Sequence, residues 1–188
     1  SIPIINGLSP SSHPTQVLSD IFTIQEIKKK SISKLKLCWI GDANNNMMNS
    51  LIEACIKFSV SLNIACPKSY QPNKMLISLI KKQKGKIKIF NKKEIAVKNS
   101  DVVMTDKIIS LNDKVNKKKK LKSFKNFKVD TKTMNLAKKD AIFLHCLPRG
   151  SEVTEEVFLG KQSKVWQQAL NRVYVQKSIL LYCFGKLR

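Results

Sequence analysis

The sequence predicts an α/β fold: a Rossmann-like parallel sheet of about five strands with helices on both faces. Three observations lead there. Five short apolar or β-branched runs recur along the 188 residues, each is followed by turn residues and then helical spacing, and the runs are nearly continuously apolar rather than alternating. Strands of a parallel sheet read this way because crossover helices bury both of their faces. The hydrophobic fraction of 43% is that of a chain with a core of its own, and the length suits one such domain.

The opening, SIPIINGLSPSSHP, has neither a basic start nor a long apolar stretch, so no signal peptide is expected. Residue 1 is serine, which points to a processed or partial product. Pro14 after His13 suits a helix start, and TQVLSDIFTIQEI continues at helical spacing. His13 would then stand at a helix N-terminus, where backbone N–H groups and the dipole favour an anion. The first strand is LKLCWIGD (35–42), followed by a helix in NSLIEACIKFSVS whose apolar residues are Leu51, Ile52, Cys55, Ile56 and Phe58. A cap is expected near Asn49 or Ser50. The second strand is LNIACP (62–67), and NKMLISLIKKQKG after it ends in lysines and Gly85, as helix C-termini do. The third and fourth strands are KIKIF (86–90) and DVVMTD (101–106). The stretch KVNKKKKLKSFKNF (114–127) reads as a solvated surface segment, although Phe124 and Phe127 among the lysines leave an RNA contact open. The fifth strand is AIFLHCL (141–147), and SKVWQQALNRVYVQKSILLYCFGKLR reads as a short strand or turn and then a long amphipathic helix. Trp39 and Trp166 are read as packing residues, and Asp42 as a strand-end cap.

Several functions are disfavoured by composition. Lysines interrupt every apolar run well before the ~18 residues of a membrane span, so no membrane partner is expected. The net charge of +22 suggests nucleic acid, but Arg149, Arg172 and Arg188 are the only arginines. Bidentate forks for bases and phosphates are therefore nearly absent, and the lysines are spread along the whole chain. No specific nucleic-acid function is expected, only weak polyanion attraction. The five cysteines, Cys38, Cys55, Cys66, Cys146 and Cys183, are odd in number and show no CxxC pairing. Reduced thiols in a cytoplasmic setting fit this better than a disulfide framework. His13 and His145 lack ligand spacing, so no metal site is expected.

Ligands of an open parallel sheet sit outside the carboxyl ends of its strands. Three polar loops fall there: GDANNN, TDKIISLND and HCLPRG. Within the last, Cys146 admits four readings: nucleophile, metal ligand, substrate contact or small buried residue. Adjacent strand residues point to opposite faces, so a direct dyad of His145 with Cys146 is not expected, and His145 is read as structural.

HPTQVLSDIFTIQE, WIGDANNNMMNSLIEA, DVVMTD, FLHCLPRGSEVTEEVF and NRVYVQKSIL resemble, in order and spacing, the ornithine carbamoyltransferases. HPTQ is shared with the aspartate enzymes, whereas HCLP with GDANNN and VVMTD points to the ornithine branch. The resemblance covers only the second half of that architecture. It implies that 1–33 is the end of a carbamoyl-phosphate domain with a linking helix, 34–160 an ornithine-binding domain, and 161–188 a helix returning to the first domain. Both terminal helices would then pack on a missing first domain, whose Ser-Thr-Arg-Thr motif for gripping phosphate is not in the sequence.

The resemblance also implies a reaction: carbamoyl transfer from carbamoyl phosphate to the δ-amine of L-ornithine, giving citrulline in arginine metabolism, by a cytoplasmic homotrimer. His13, Pro14, Thr15, Gln16, Cys146, Leu147 and Arg172 would contact carbamoyl phosphate, with His13, Cys146 and Arg172 in catalytic roles. Asn45, Asn46, Asp106, Ser110, Leu111 and Cys146 would contact ornithine. The family's SMG reads SLN at Ser110 to Asn112, and its EAENR reads QALNR, with Leu170 in place of an acid. Acetylornithine or putrescine as acceptor, and a non-catalytic remnant or degenerate paralogue, are the rival expectations.

Overall fold

The computed structural model describes residues 2–109 and 116–186. Its centre is a five-stranded, all-parallel sheet of order β3-β2-β1-β4-β5, made of β1 (Lys36–Ile40), β2 (Ser61–Ala65), β3 (Ile87–Phe90), β4 (Val102–Thr105) and β5 (Ile142–His145). Each lies inside one of the five runs read from the sequence, except that β2 begins one residue earlier, at Ser61. The helices are α1 (Pro14–Lys28), α2 (Asn46–Lys57), α3 (Lys74–Lys82), α4 (Lys93–Val97), α5 (Lys117–Ser123), α6 (Thr131–Asn135), α7 (Glu155–Leu159) and α8 (Val165–Cys183). Among the described residues no helix is long and apolar enough to cross a membrane.

Alternation along β1 shows why the strands are apolar throughout. Leu37 and Trp39 enter a core with α1 and α2, through Ile24, Met48 and Leu51. Cys38 and Ile40 enter a second core on the other face with Val97, Phe124 and Phe158. Two packed faces leave no solvent side for a polar residue. The carboxyl ends of β1 and β4 approach closely: Thr105 Oγ1 donates to the Ile40 carbonyl at 2.6 Å. Gly41 follows with φ of 145°, and a Cβ there would lie 3.3 Å from Thr105 Oγ1, so the turn into GDANNN needs glycine.

Three expectations require correction. Helix α2 begins earlier than its apolar spacing suggests, because Asn45 caps it by accepting the Met48 N–H at 2.8 Å, while Asn49 and Ser50 lie inside the helix. The 114–127 stretch is not wholly solvated: Phe124 and Phe127 are 2% and 7% exposed, and Lys120 is buried as well. Neither ring is available to stack on a base, which removes the RNA-contact reading. Trp166 is 62% exposed, touching Phe158 by its edge rather than filling the core. Trp39 is buried as expected, its indole N–H donating to the Asp42 carbonyl at 3.1 Å.

Helices α1 and α8, from opposite ends of the chain, pack side by side through a polar seam. Asn171 Nδ2 donates to Thr23 Oγ1 and to Glu26 Oε2, both at 2.9 Å. Buried amides satisfied this way fix the rotation of α8 about its axis. Arg172, the next residue, is thereby aimed at the end of β5.

Candidate functional site at the end of strand 5

A cavity of about 340 Å³ opens where α1 and α8 meet the carboxyl end of β5, and Gln16, Cys146, Leu147, Gln168 and Arg172 line it. Four of the residues expected to contact carbamoyl phosphate therefore come together. Pro14 is the first residue of α1, and His13 occupies its N-cap position with no side-chain cap bond. Burial, and then the positive charge of Arg172, hold the His13 imidazole below its usual pKa against a hydrogen bond with the Gly7 backbone. It is neutral at neutral pH. Thr15 instead ties down the N-terminal segment, its hydroxyl donating to the Gly7 carbonyl at 2.8 Å.

Among the described residues, His13 Nδ1, Arg172 Nε, Asp20 Oδ2, Ser19 Oγ and His145 Nδ1 are buried around this site without a hydrogen-bond partner. Such groups are costly unless something else satisfies them. Asp20 was missed by the sequence reading and is the fully buried acid of the site. Its Oδ1 accepts from Gln16 Nε2 at 2.8 Å and from Gln168 Nε2 at 2.7 Å. Burial raises its pKa to about 6, opposed by both amides and by Arg172 and reinforced by Asp106. Asp106, at the end of β4, is likewise raised to about 6, chiefly by burial.

Cys146 lies between these groups. Burial, then Asp106 and Asp20, push its thiol well above the usual range, with Arg172 opposing. A protonated thiol is a poor nucleophile. His145 points the other way, into the second core against Phe143 and Phe158, its Nε2 2.8 Å from Glu152 Oε1. The Glu152 pKa is lowered: burial works to raise it, and the bonds from His145 and the Gly150 N–H outweigh that. This pair braces the turn that carries Cys146 and Leu147, and the alternation of strand residues predicted the separation of the two faces.

Asn45 makes local bonds, and Asn46 ties α2 to the N-terminal segment. Besides its cap, Asn45 Nδ2 donates to the Asp42 carbonyl at 3.3 Å, and Asn46 Nδ2 donates to the Ser9 carbonyl at 2.9 Å. Neither lines the β5 cavity. Ser110 and Leu111 lie outside the described residues. Asp42 accepts the Asn44 N–H at 2.8 Å, as a strand-end cap would, and also pairs with Lys120 at 2.7 Å. Leu170 is 48% exposed, and residues two apart on a helix do not face each other. The acid that faces Arg172 comes from α1, not from position 170.

The raised Asp20 carboxyl has a consequence for stability. Its proton is held more tightly in the folded chain than in the unfolded one, so its contribution to stability falls as pH rises from about 4 to about 6 and then levels off. A shift from 3.8 to about 6 corresponds to about 3 kcal/mol. Asp20→Asn is therefore expected to gain on the wild type progressively over that window in urea melts at successive pH values. A constant difference between pH 4 and 7 would contradict it.

The sequence profile of the aspartate/ornithine carbamoyltransferase Asp/Orn-binding domain matches residues 33–183. An ornithine carbamoyltransferase of Caldicellulosiruptor saccharolyticus is 44% identical over 195 aligned positions, covering 100% of this chain and 62% of that protein. One from Methanosarcina acetivorans is 38% identical, over 96% of this chain and 60% of its own length. Among solved structures, the anabolic ornithine carbamoyltransferase of Campylobacter jejuni superposes with a TM-score of 0.90 at 40% identity, over 98% of this chain and 62% of that one. The enzyme from Pyrococcus furiosus gives 0.89 at 36%, over 100% and 61%. The chain thus spans about three fifths of the length of these relatives. It belongs to the aspartate/ornithine carbamoyltransferase family.

Proposed function

We propose that the chain is the ornithine-binding part of a carbamoyltransferase that moves the carbamoyl group of carbamoyl phosphate to the δ-amine of L-ornithine, giving citrulline and phosphate. The observation that carries the ornithine reading is an acidic pair at the strand ends: Asp106 and Cys146 follow the paired residues Thr105 and His145, and buried Asp20 holds two glutamines that line the same cavity as Cys146. A cationic diamino acid is attracted to such a site, whereas the side chain of aspartate would be repelled.

The neutral δ-amine attacks the carbamoyl carbon, a tetrahedral oxyanion forms, and phosphate departs. Fixed donors matter most in such a step. Arg172, with Nε lacking a protein partner, is placed to meet the phosphate or the oxyanion. His13 and Gln16 hold the carbamoyl group, and Cys146 and Leu147 form the wall against which the amine approaches. Asp106 orients the amine and favours its deprotonated form. Asn45, Asn46, Ser110 and Leu111 complete the ornithine site. No metal or organic cofactor enters these steps.

In this reading, 1–33 ends the carbamoyl-phosphate domain, 34–160 is the ornithine-binding domain, and 161–188 returns to the first. The groove between α1 and α8, with Leu18, Phe22, Tyr174 and Tyr182 on its walls, seats that domain. The complete protein acts as a cytoplasmic homotrimer. NMR titration of the chain with L-ornithine is expected to shift the backbone signals of Asp106 and Cys146, and L-aspartate is expected not to. A response to aspartate alone would overturn the assignment of the acceptor.

A further inference from the structure

Gln16 is nearly fully buried, and an amide offers either an N–H donor or a carbonyl acceptor to a ligand. Which one faces the cavity follows from a chain of bonds that starts at a group without ambiguity. The backbone N–H of His145 donates only, and it meets Gln168 Oε1 at 2.9 Å. Gln168 must therefore turn its NH2 toward Asp20, where Nε2 lies 2.7 Å from Oδ1. The same Oδ1 accepts from Gln16 Nε2 at 2.8 Å. That leaves Gln16 Oε1 for the cavity, which Gln16 lines.

We propose that Asp20 is a positioning residue that fixes the amide of Gln16 with its carbonyl oxygen toward the ligand, so that the site selects a carbamoyl NH2 over an isosteric methyl group. The inference rests on the reading of this cavity as the carbamoyl site. Gln168 and the His145 backbone extend the same device from α1 through α8 to β5, one residue before Cys146. Oδ1 retains its acceptor lone pairs whether the Asp20 proton is absent or sits on Oδ2. The orientation of Gln16 is thus the same in both protonation states.

The test is an NMR titration of the 188-residue chain with carbamoyl phosphate and with acetyl phosphate, which carries a methyl group in place of the NH2. The wild type is expected to prefer carbamoyl phosphate by roughly tenfold, the worth of one well-made hydrogen bond. Asp20→Leu removes the acceptor and is expected to reduce the preference to less than about twofold. Asp20→Asn keeps an accepting Oδ1 and restores it, which a merely structural role would not do. A preference that survives in Asp20→Leu overturns the role of Asp20 while leaving the carbamoyl site standing. A wild type that binds the two anions equally also overturns it, and one that binds neither overturns the site as well. Should Asp20→Leu fail to fold, hydrogen exchange of the Gln16 side-chain NH2 in the wild type decides: slow exchange is expected, and exchange as fast as that of an exposed glutamine overturns the proposal.

Discussion

Asp42→Ala is expected to destabilise the chain by about 2–3 kcal/mol, lowering Tm by roughly 7 °C. The reason is the partner it abandons. Lys120 Nζ is 2.7 Å from Asp42 Oδ2, and the two side chains are 4% and 7% exposed. Removing the carboxylate takes one partner from an ammonium buried beside the Tyr70 ring, 5.5 Å from its centroid, and also frees the Asn44 N–H. A charge-assisted hydrogen bond between two buried groups is worth about 1.5–3 kcal/mol, more than a surface pair at about 0–1 kcal/mol. A double-mutant cycle with Lys120→Met is expected to give a coupling of about 1.5–3 kcal/mol between the two side chains. A thermal melt of Asp42→Ala within 2 °C of the wild type would show that the pair behaves as a solvated one.

Arg172→Met is expected to have the largest effect on turnover, lowering kcat/KM for carbamoyl phosphate by about 10²–10³ in the complete protein. Stability should change little, since Arg172 Nε has no hydrogen-bond partner among the described residues and α8 is held by Asn171 and Gln168 instead. Arg172→Lys is expected not to rescue, because an ammonium lacks the planar fork of donors. Steady-state rates of citrulline formation measure this. A loss smaller than about threefold would remove Arg172 from the transition state.

The strands were legible because burial on both faces leaves an unbroken apolar run, and only β2 reaches outside its run, by the single residue Ser61. Cys146 and Leu147 were legible as a strand-end pair, and the separation of His145 from Cys146 followed from strand alternation alone. Asp20 and Gln168 were not, because polar residues on a helix suggest a solvated face. Here α1 and α8 bury polar residues against each other, so their apolar pattern understates what is enclosed. A signal was present nonetheless: Gln16 and Asp20 are four residues apart, on one face with Val17 and Ile24. Lys120 was hidden in a lysine run whose composition says solvent, while only the fold shows that one member reaches Asp42. The α2 start was misplaced because the cap was sought just before the apolar spacing that begins at Leu51, whereas Asn45 accepts from the first turn of the helix and the buried Met47 and Met48 belong to that turn.

Joining this chain to the phosphate-gripping domain of an ornithine carbamoyltransferase relative, and measuring product from carbamoyl phosphate with ornithine or aspartate, tests the central claim most directly. The expected result is citrulline from the joined protein, none from the 188-residue chain alone, and a raised KM for ornithine in Cys146→Ala. Citrulline made by the chain alone, carbamoyl-aspartate as the product of the joined protein, or an ornithine dependence unchanged by Cys146→Ala would contradict the account.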